Sequence, residues 1–384
     1  MKAVRGARLF DGERLVDDAT VLVRDGRIVM IGSDDLPDVA EVTDLGDVTL
    51  LPGLVDSHVH LAFDCSDPAK SFQGVDDEQI LARMRSAART TLAMGVTTVR
   101  DLGDRGYLSL QLRKELAADP SAGPHLLVAG PPITTTGGHC WYLGGEADGV
   151  DGVRAAVRER AEHGVDLVKV MAGGGAMTPG SAPHLSQYGI EELRAAAEEA
   201  HAHGLPITAH AHGVQSVSDA VAAGFDSVEH CWFVGERGVE DRPDVIEALA
   251  SSGVTVSMTI ALKAGGELPP PLARLLSAVY EHVRKMRAAG VTIVGSSDSG
   301  VGGQLPHNAL PYTVQALVEA GWSTAEALHS VTALAAELCR VGDRKGRLAP
   351  GKDADLLAVA GNPLDDPAAL LDVRAVYREG HRVR

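Results

Sequence analysis

Aromatic side chains make up only 4% of the 384 residues, and cysteine occurs four times, at Cys65, Cys140, Cys231 and Cys339. The four lie far apart and never as a Cys-x-x-Cys pair, which argues against a disulfide scaffold and for a reducing compartment. Positive charge is also in short supply: 35 Lys and Arg against 52 Asp and Glu leave a formal net charge of −17. Without a basic run to offset it, that excess repels phosphate backbones and anionic lipid headgroups, so neither nucleic acid nor a membrane surface is an expected partner. No run approaches the roughly 18 apolar residues that span a bilayer. The first residues are basic but carry no apolar core or small-residue cleavage site, so the expected location is the cytoplasm.

What is present fits a globular enzyme. Hydrophobic residues are 45% and charged residues 23%, close to the average, and the length allows two modest domains or one large barrel with an accessory piece. With 43 glycines and abundant alanine, the core should be built from Val, Leu and Ala on closely approaching elements, which suits an α/β fold.

The first fifty residues read as short strands at 1–8, 19–23 and 27–32, with Asp25-Gly26 as a hairpin turn. From residue 51 the pattern becomes apolar β-rich runs alternating with longer Ala/Glu/Arg-rich stretches, such as the helices expected at 191–203 and 325–339. Eight such strands are expected, at 51–56, 96–101, 125–129, 166–171, 206–210, 227–230, 255–260 and 292–296. Eight βα units imply a closed (β/α)8 TIM barrel over 51–343, with an open doubly wound sheet as the alternative. After Gly346 short strands return at 355–359 and 375–378, with a Glu379-Gly380 turn. The terminal segments 1–50 and 344–384 are therefore expected to pair into a small β-sandwich domain.

Residues able to bind metal cluster at the ends of these strands. His58 and His60 close the first strand in GLVDSHVHL, and side chains two apart share a face, so both imidazoles can reach one cation. Taken alone, His-x-His equally describes two satisfied buried histidines. Lys169 lies inside the apolar run DLVKVMAGGG, where an ammonium is costly unless it pairs with an acid or is altered chemically, as by CO2 to a carbamate. His210 and His212 close the fifth strand in ITAHAHG and His230 the sixth in SVEHCWF. His210 is the preferred ligand of the first pair, leaving His212 to support it or face substrate. Asp298, in VGSSDSG, places a carboxylate where it can take a proton from an attacking water, although an N-cap aspartate would look the same.

The ordered set LPGLVDSHVHL, VKVMAGGG, ITAHAHG, VEHCW and GSSDSG resembles the metal-dependent amidohydrolase superfamily, specifically its prolidase-like and imidazolonepropionase-like branch. The resemblance extends to GRLAPGKDADLLAVAGNPLDD, where such enzymes re-enter their sandwich domain. It implies one metal on His58, His60, Lys169 and Asp298, a second on Lys169, His210 and His230, and a carbamate on Lys169 bridging the two. A hydroxide would sit between the metals. Zinc is the expected metal, two ions per chain, while manganese, iron and cobalt also suit nitrogen and oxygen donors.

The Gly-rich loop 134–149 should overhang the site. Its GGH stretch resembles that of the prolidase-like branch, which implies that His139 polarises a carbonyl and that Tyr142 and Trp141 contact substrate, Tyr142 by holding a carboxylate; a self-packed loop whose aromatics cover the barrel rim is the alternative. Arg100, beside Asp101, is a candidate anchor for a substrate carboxylate, but pairing with Asp101 and neighbouring loops is the preferred role, because charged residues at strand ends often form such networks. His184 and Tyr188 belong to a segment long enough for a second lid. His125, His163, His201, His203, His282, His307, His329 and His381 are expected at the surface or as caps.

The leading expectation is hydrolysis of an amide bond in a small molecule such as a dipeptide, an N-acyl amino acid or a cyclic amide, with Asp298 moving the proton. The alternatives are a mononuclear imidazolonepropionase-like ring opening or deaminase, a lactonase or phosphotriesterase, and a non-catalytic metal-binding subunit. HAHGVQ has no acidic residue where a deaminase would need one. Self-association into a homo-oligomer is left open.

Overall fold

The computed structural model describes residues 1–17, 20–32, 41–67, 70–268 and 270–384. Among them, eight parallel strands form the centre: β1 (Leu54–Val59), β2 (Val96–Asp101), β3 (His125–Val128), β4 (Val168–Met171), β5 (Ile207–Ala211), β6 (Ser227–His230), β7 (Thr255–Thr259) and β8 (Ile293–Ser296). They lie in a sheet of three, β3-β2-β1, and a sheet of five, β4-β5-β6-β7-β8. Parallel bridges stand at both seams: Ile133, past β3, pairs with Val170, and Val59 pairs with Ser299, past β8. Backbone bonds from Asp298 N to His58 O and from His60 N to Ser299 O, both 2.9 Å, tie the second seam. The result is a TIM-barrel-like α/β fold, in which side chains at the strand C-termini converge on one mouth.

Helices cover the outside. The first, α1 (Asp77–Ala93), starts with a reciprocal cap in which Asp76 accepts from Gln79 N and the Gln79 side chain accepts from Asp76 N. It buries Ile80, Leu81, Met84, Ala87, Ala88 and Leu92, the spacing of one helical face. The segment expected as a helix at 191–203 is Ile190–Ala202.

The terminal segments build two sheets. One contains Arg27–Ile31, Thr20–Arg24, Lys2–Arg5 and Glu41–Asp44, and the other His381–Arg382, Val373–Arg378, Leu356–Ala360, Val48–Pro52, Arg8–Phe10 and Leu15–Asp17. Val4, Leu9, Val21, Ile28, Leu50, Leu356 and Ala375 form a common core. The two expected turns are present, with left-handed φ at Asp25 (52°) and Gly26 (75°), and at Glu379 (49°) and Gly380 (74°). Of the strand expected at 19–23, residue 19 lies outside the described residues.

Three expected elements are divided. Residues 1–8 are not one strand, because the chain changes sheet near Gly6, where a Cβ would come within 2.9 Å of Val48 Cγ2. The strand expected at 51–56 breaks at Gly53: Leu51 and Pro52 pair in the six-stranded sheet, and β1 begins at Leu54. The helix expected at 325–339 is two, Thr324–Ser330 and Ala333–Leu338. Thr332 between them has φ −130° and ψ −96°, and its hydroxyl donates to Leu328 O at 2.7 Å, a side-chain bond that competes with the helical ladder. No helix among the described residues is long and apolar enough to cross a membrane.

Candidate active site

His58 and His60 share a face at the end of β1, and their Nε2 atoms are 3.3 Å apart. Asp298 Oδ1 lies 3.3 Å from His58 Nε2 and 3.5 Å from His60 Nε2. Across the mouth, His210 Nδ1 faces His230 Nε2 at 3.0 Å. A tetrahedral ion with bonds of about 2.0–2.1 Å separates its ligand atoms by about 3.3 Å, so both groups have a spacing at which they could share a cation. Two sets of donor atoms lie within 4.8 Å of one another, His210 with His212 and His230, and His58 with His230 and Asp298.

The outward nitrogens of His60, His210 and His230 are hydrogen-bonded and that of His58 stands at ion-pair distance from a carboxylate, leaving the inward nitrogen of each ring free to ligate. His58 Nδ1 lies 2.9 Å from Glu229 Oε2, His60 Nδ1 3.3 Å from Gly103 O, His210 Nε2 3.1 Å from Gly174 O, and His230 Nδ1 2.6 Å from Thr259 Oγ1. His212 has no such tether on Nδ1 among the described residues, and its ring stacks on His230 at 4.2 Å. This difference favours His210 as the ligand of the pair.

Lys169 projects from β4 into the same space, 1% exposed, and its Nζ has no hydrogen-bond partner among the described residues. Burial pushes its pKa down, against the pull of the Glu229 and Asp298 charges. Burial pushes the Asp298 carboxyl up, against the Lys169 charge. Burial likewise lowers His58, to about 4, so the imidazole stays neutral and able to ligate. Asp298 and His230 hold left-handed backbone, φ 57° and 67°, which turns their side chains at the strand ends.

The chain segments above this floor enclose a cavity of about 350 Å³. His139 lines it, 5% exposed, held by Nδ1 at 3.0 Å from Thr178 Oγ1, with its ring centroid 4.7 Å from that of His210. A Cβ on Gly175 would lie 2.3 Å from His139 Nε2, so only glycine lets this ring take its place. Tyr142 also lines the cavity, but its hydroxyl donates to Cys140 Sγ at 3.6 Å. Tyr188 ties the second loop to the first by donating to Ala147 O at 2.6 Å.

Three expectations are corrected. Arg100 does not face substrate: it is 3% exposed and does not line the cavity, its Nε donating to Ser57 O at 2.7 Å and its Nη2 to Glu229 Oε1 at 2.8 Å. Nor does it bond Asp101, which instead accepts from Leu61 N and Gly103 N. Trp141 points away, 47% exposed, and Trp232 lines the cavity in its place. His282, expected at the surface, is buried with Nε2 donating to Cys231 O at 3.1 Å.

Glu229, which the sequence pattern did not single out, lies buried among these residues, between His58 and Arg100. Burial alone would raise its pKa, but Arg100, His58 and Lys169 hold the carboxyl well below the usual range. It bonds Thr208 at 2.6 Å, while the next residue, His230, meets His210 two places along the same strand. Consecutive strand residues normally face opposite ways, and the left-handed φ at His230 brings both to one side.

The Amidohydrolase family model matches residues 49–383. The chain is 29% identical over 405 residues to ochratoxinase from Aspergillus niger, covering 95% of this chain and 82% of that protein. It is 29% identical over 418 residues to imidazolonepropionase from Deinococcus deserti, covering 99% and 95%. A crystal structure of a Xaa-Pro dipeptidase with bound methionine in the active site matches with a TM-score of 0.88 at 29% identity, covering 99% of both chains. With the family match running from the first barrel strand through the return to the terminal sheets, the chain belongs to the amidohydrolase family, hydrolases of carbon–nitrogen bonds.

Proposed function

We propose that this protein hydrolyses an amide bond of a small molecule with the help of two divalent metal ions. His58, His60 and Asp298 would hold one, His210 and His230 the other, and Lys169, carbamylated by CO2, would serve both. The observation that carries this reading is the buried, unpartnered Nζ of Lys169 among converging imidazole and carboxylate donors. A bare ammonium there is costly, whereas a carbamate is an anion whose two oxygens suit two cations. Donors of nitrogen and oxygen without cysteine make zinc the first choice, with manganese, iron and cobalt also suitable.

When bound, such ions lower the pKa of water and polarise a carbonyl oxygen. Asp298, at the end of β8, would accept the proton of the attacking water and return it to the leaving nitrogen. His139, fixed by Thr178, would hold the carbonyl oxygen. Glu229 would keep the His58 proton on Nδ1, so that Nε2 stays free. Loops 134–149 and 172–189 would limit water around the reacting atoms. In this reading residues 51–343 form a closed catalytic (β/α)8 barrel, and 1–50 with 344–384 form a β-sandwich beside it.

The test is metal content per chain, measured by plasma emission on protein expressed with zinc and bicarbonate. About two equivalents would support the reading. About one would favour a mononuclear ring opening like that of the imidazolonepropionase from Deinococcus deserti, to which the chain is as similar in sequence as it is to ochratoxinase.

A further inference from the structure

Above the histidine floor the cavity wall is strongly apolar: Phe63, Met177, Trp232, Leu262, Leu272 and Leu275 all line it. They come from segments far apart in the chain, including the loop after β1, the loop after β4, the loop after β6 and the helix Pro270–Ala288. Several parts of the fold thus present the same chemistry to the same space. Among the described lining residues Lys169 is the one Lys or Arg, and it lies at the floor, 1% exposed, in the field of Glu229 and Asp298. Arg100 is beneath the floor, committed to Ser57 and Glu229, and the Tyr142 hydroxyl faces Cys140.

A substrate carboxylate set against this wall, away from the floor where metal ions would lie, would lose hydration without meeting a cationic side chain, which is strongly unfavourable. An aryl or alkyl group, in contrast, gains with each methylene that leaves water. Resting on the amide-hydrolase reading, we propose that the substrate is an uncharged amide with a bulky aryl or alkyl substituent, and carries no carboxylate beside the scissile bond. Water adds its oxygen to the carbonyl carbon, the C–N bond breaks, and the water's protons divide between the leaving nitrogen and the medium, giving an amine and a carboxylate. The acid so formed is the one anionic species in the sequence, and an apolar wall favours its release. The reading sets this site apart from the dipeptide chemistry in the name of its Xaa-Pro dipeptidase neighbour.

The probes are N-benzoylphenethylamine and N-benzoyl-L-phenylalanine, which differ only in the carboxylate, offered to the full metal-loaded chain. Calorimetry should give the neutral compound at least about tenfold tighter binding. Leu275→Arg, on a half-buried position of the helix Pro270–Ala288, should cut that ratio at least about fivefold by supplying a charge partner. Equal or tighter binding of the acid, no binding of either compound, or an unchanged ratio in a folded Leu275→Arg would overturn the inference. Hydrolysis is read separately: tighter binding of the neutral compound without cleavage of either would leave the inference standing and count against amide hydrolysis.

Discussion

Glu229 Oε2 lies 2.9 Å from His58 Nδ1, while Arg100 takes the other oxygen of the same carboxylate at 2.8 Å. All three side chains are almost fully buried, so the carboxylate is the hinge of a chain that runs from a structural guanidinium to a candidate metal ligand. The order matters physically. An imidazole that donates from Nδ1 presents its Nε2 lone pair, and an anionic acceptor strengthens that lone pair as a ligand.

Glu229→Gln should therefore weaken metal binding about 10- to 100-fold and lower Tm, because the amide cannot balance Arg100. Chelator competition on the purified variant measures the first effect. Unchanged metal affinity would reduce Glu229 to a packing role.

Lys169→Ala should lose metal and activity together, and a short carboxylic acid such as propionate should restore part of both by occupying the space of the missing carbamate. Metal content equal to that of the parent protein would rule out the bridging role of Lys169.

Asp298→Asn keeps the size of the side chain and one donor oxygen but cannot take up a proton. The expected outcome is retained metal with kcat reduced about 10²- to 10⁴-fold. Near-normal kcat would remove Asp298 as the proton carrier.

The parts of this site that could be read from sequence are those whose chemistry is out of place locally. Histidines two apart at strand ends and a lysine in an apolar strand stand out because burial makes them costly without a purpose. Glu229 did not stand out, since strand alternation assigns it the face opposite His230, and only a left-handed residue reverses that. The partners of Arg100 and the outward exposure of Trp141 are not legible for a different reason: which polar or aromatic residue faces a cavity depends on loop paths that no periodicity encodes. The breaks at Gly53 and Thr332 were hidden within apolar runs that read as continuous, because a single close contact or a single hydroxyl bond decides them.

His282 gives a pH dependence with a definite sign. Burial lowers its pKa from 6.5 to about 4, so between those values the unfolded chain binds a proton that the folded chain does not. Stability is then full above about pH 6.5 and is lost as pH falls towards 4, by at most about 3 kcal/mol. His282→Gln, uncharged throughout, should show a shallower fall in Tm between pH 7 and 4.5. An identical slope would mean that other groups carry the acid sensitivity.

Gly53 stands where the chain leaves the six-stranded sheet and enters β1, and a Cβ there would lie 2.1 Å from Thr97 Oγ1 and 2.4 Å from Thr97 Cγ2. Neither atom can retreat freely, since Thr97 is 1% exposed. Gly53→Ala should cost about 1–3 kcal/mol by overpacking. If the clash is with the Thr97 side chain, Thr97→Ala should recover part of that loss, so that the two substitutions together cost less than their sum. Recovery should be incomplete, because the Thr97 Cβ itself would stand 2.8 Å from the new methyl. Denaturant unfolding of the parent, both single variants and the double variant measures this. Strict additivity would place the need for glycine in the backbone path rather than in this contact, and so would separate the junction between the sheets from the packing of β2.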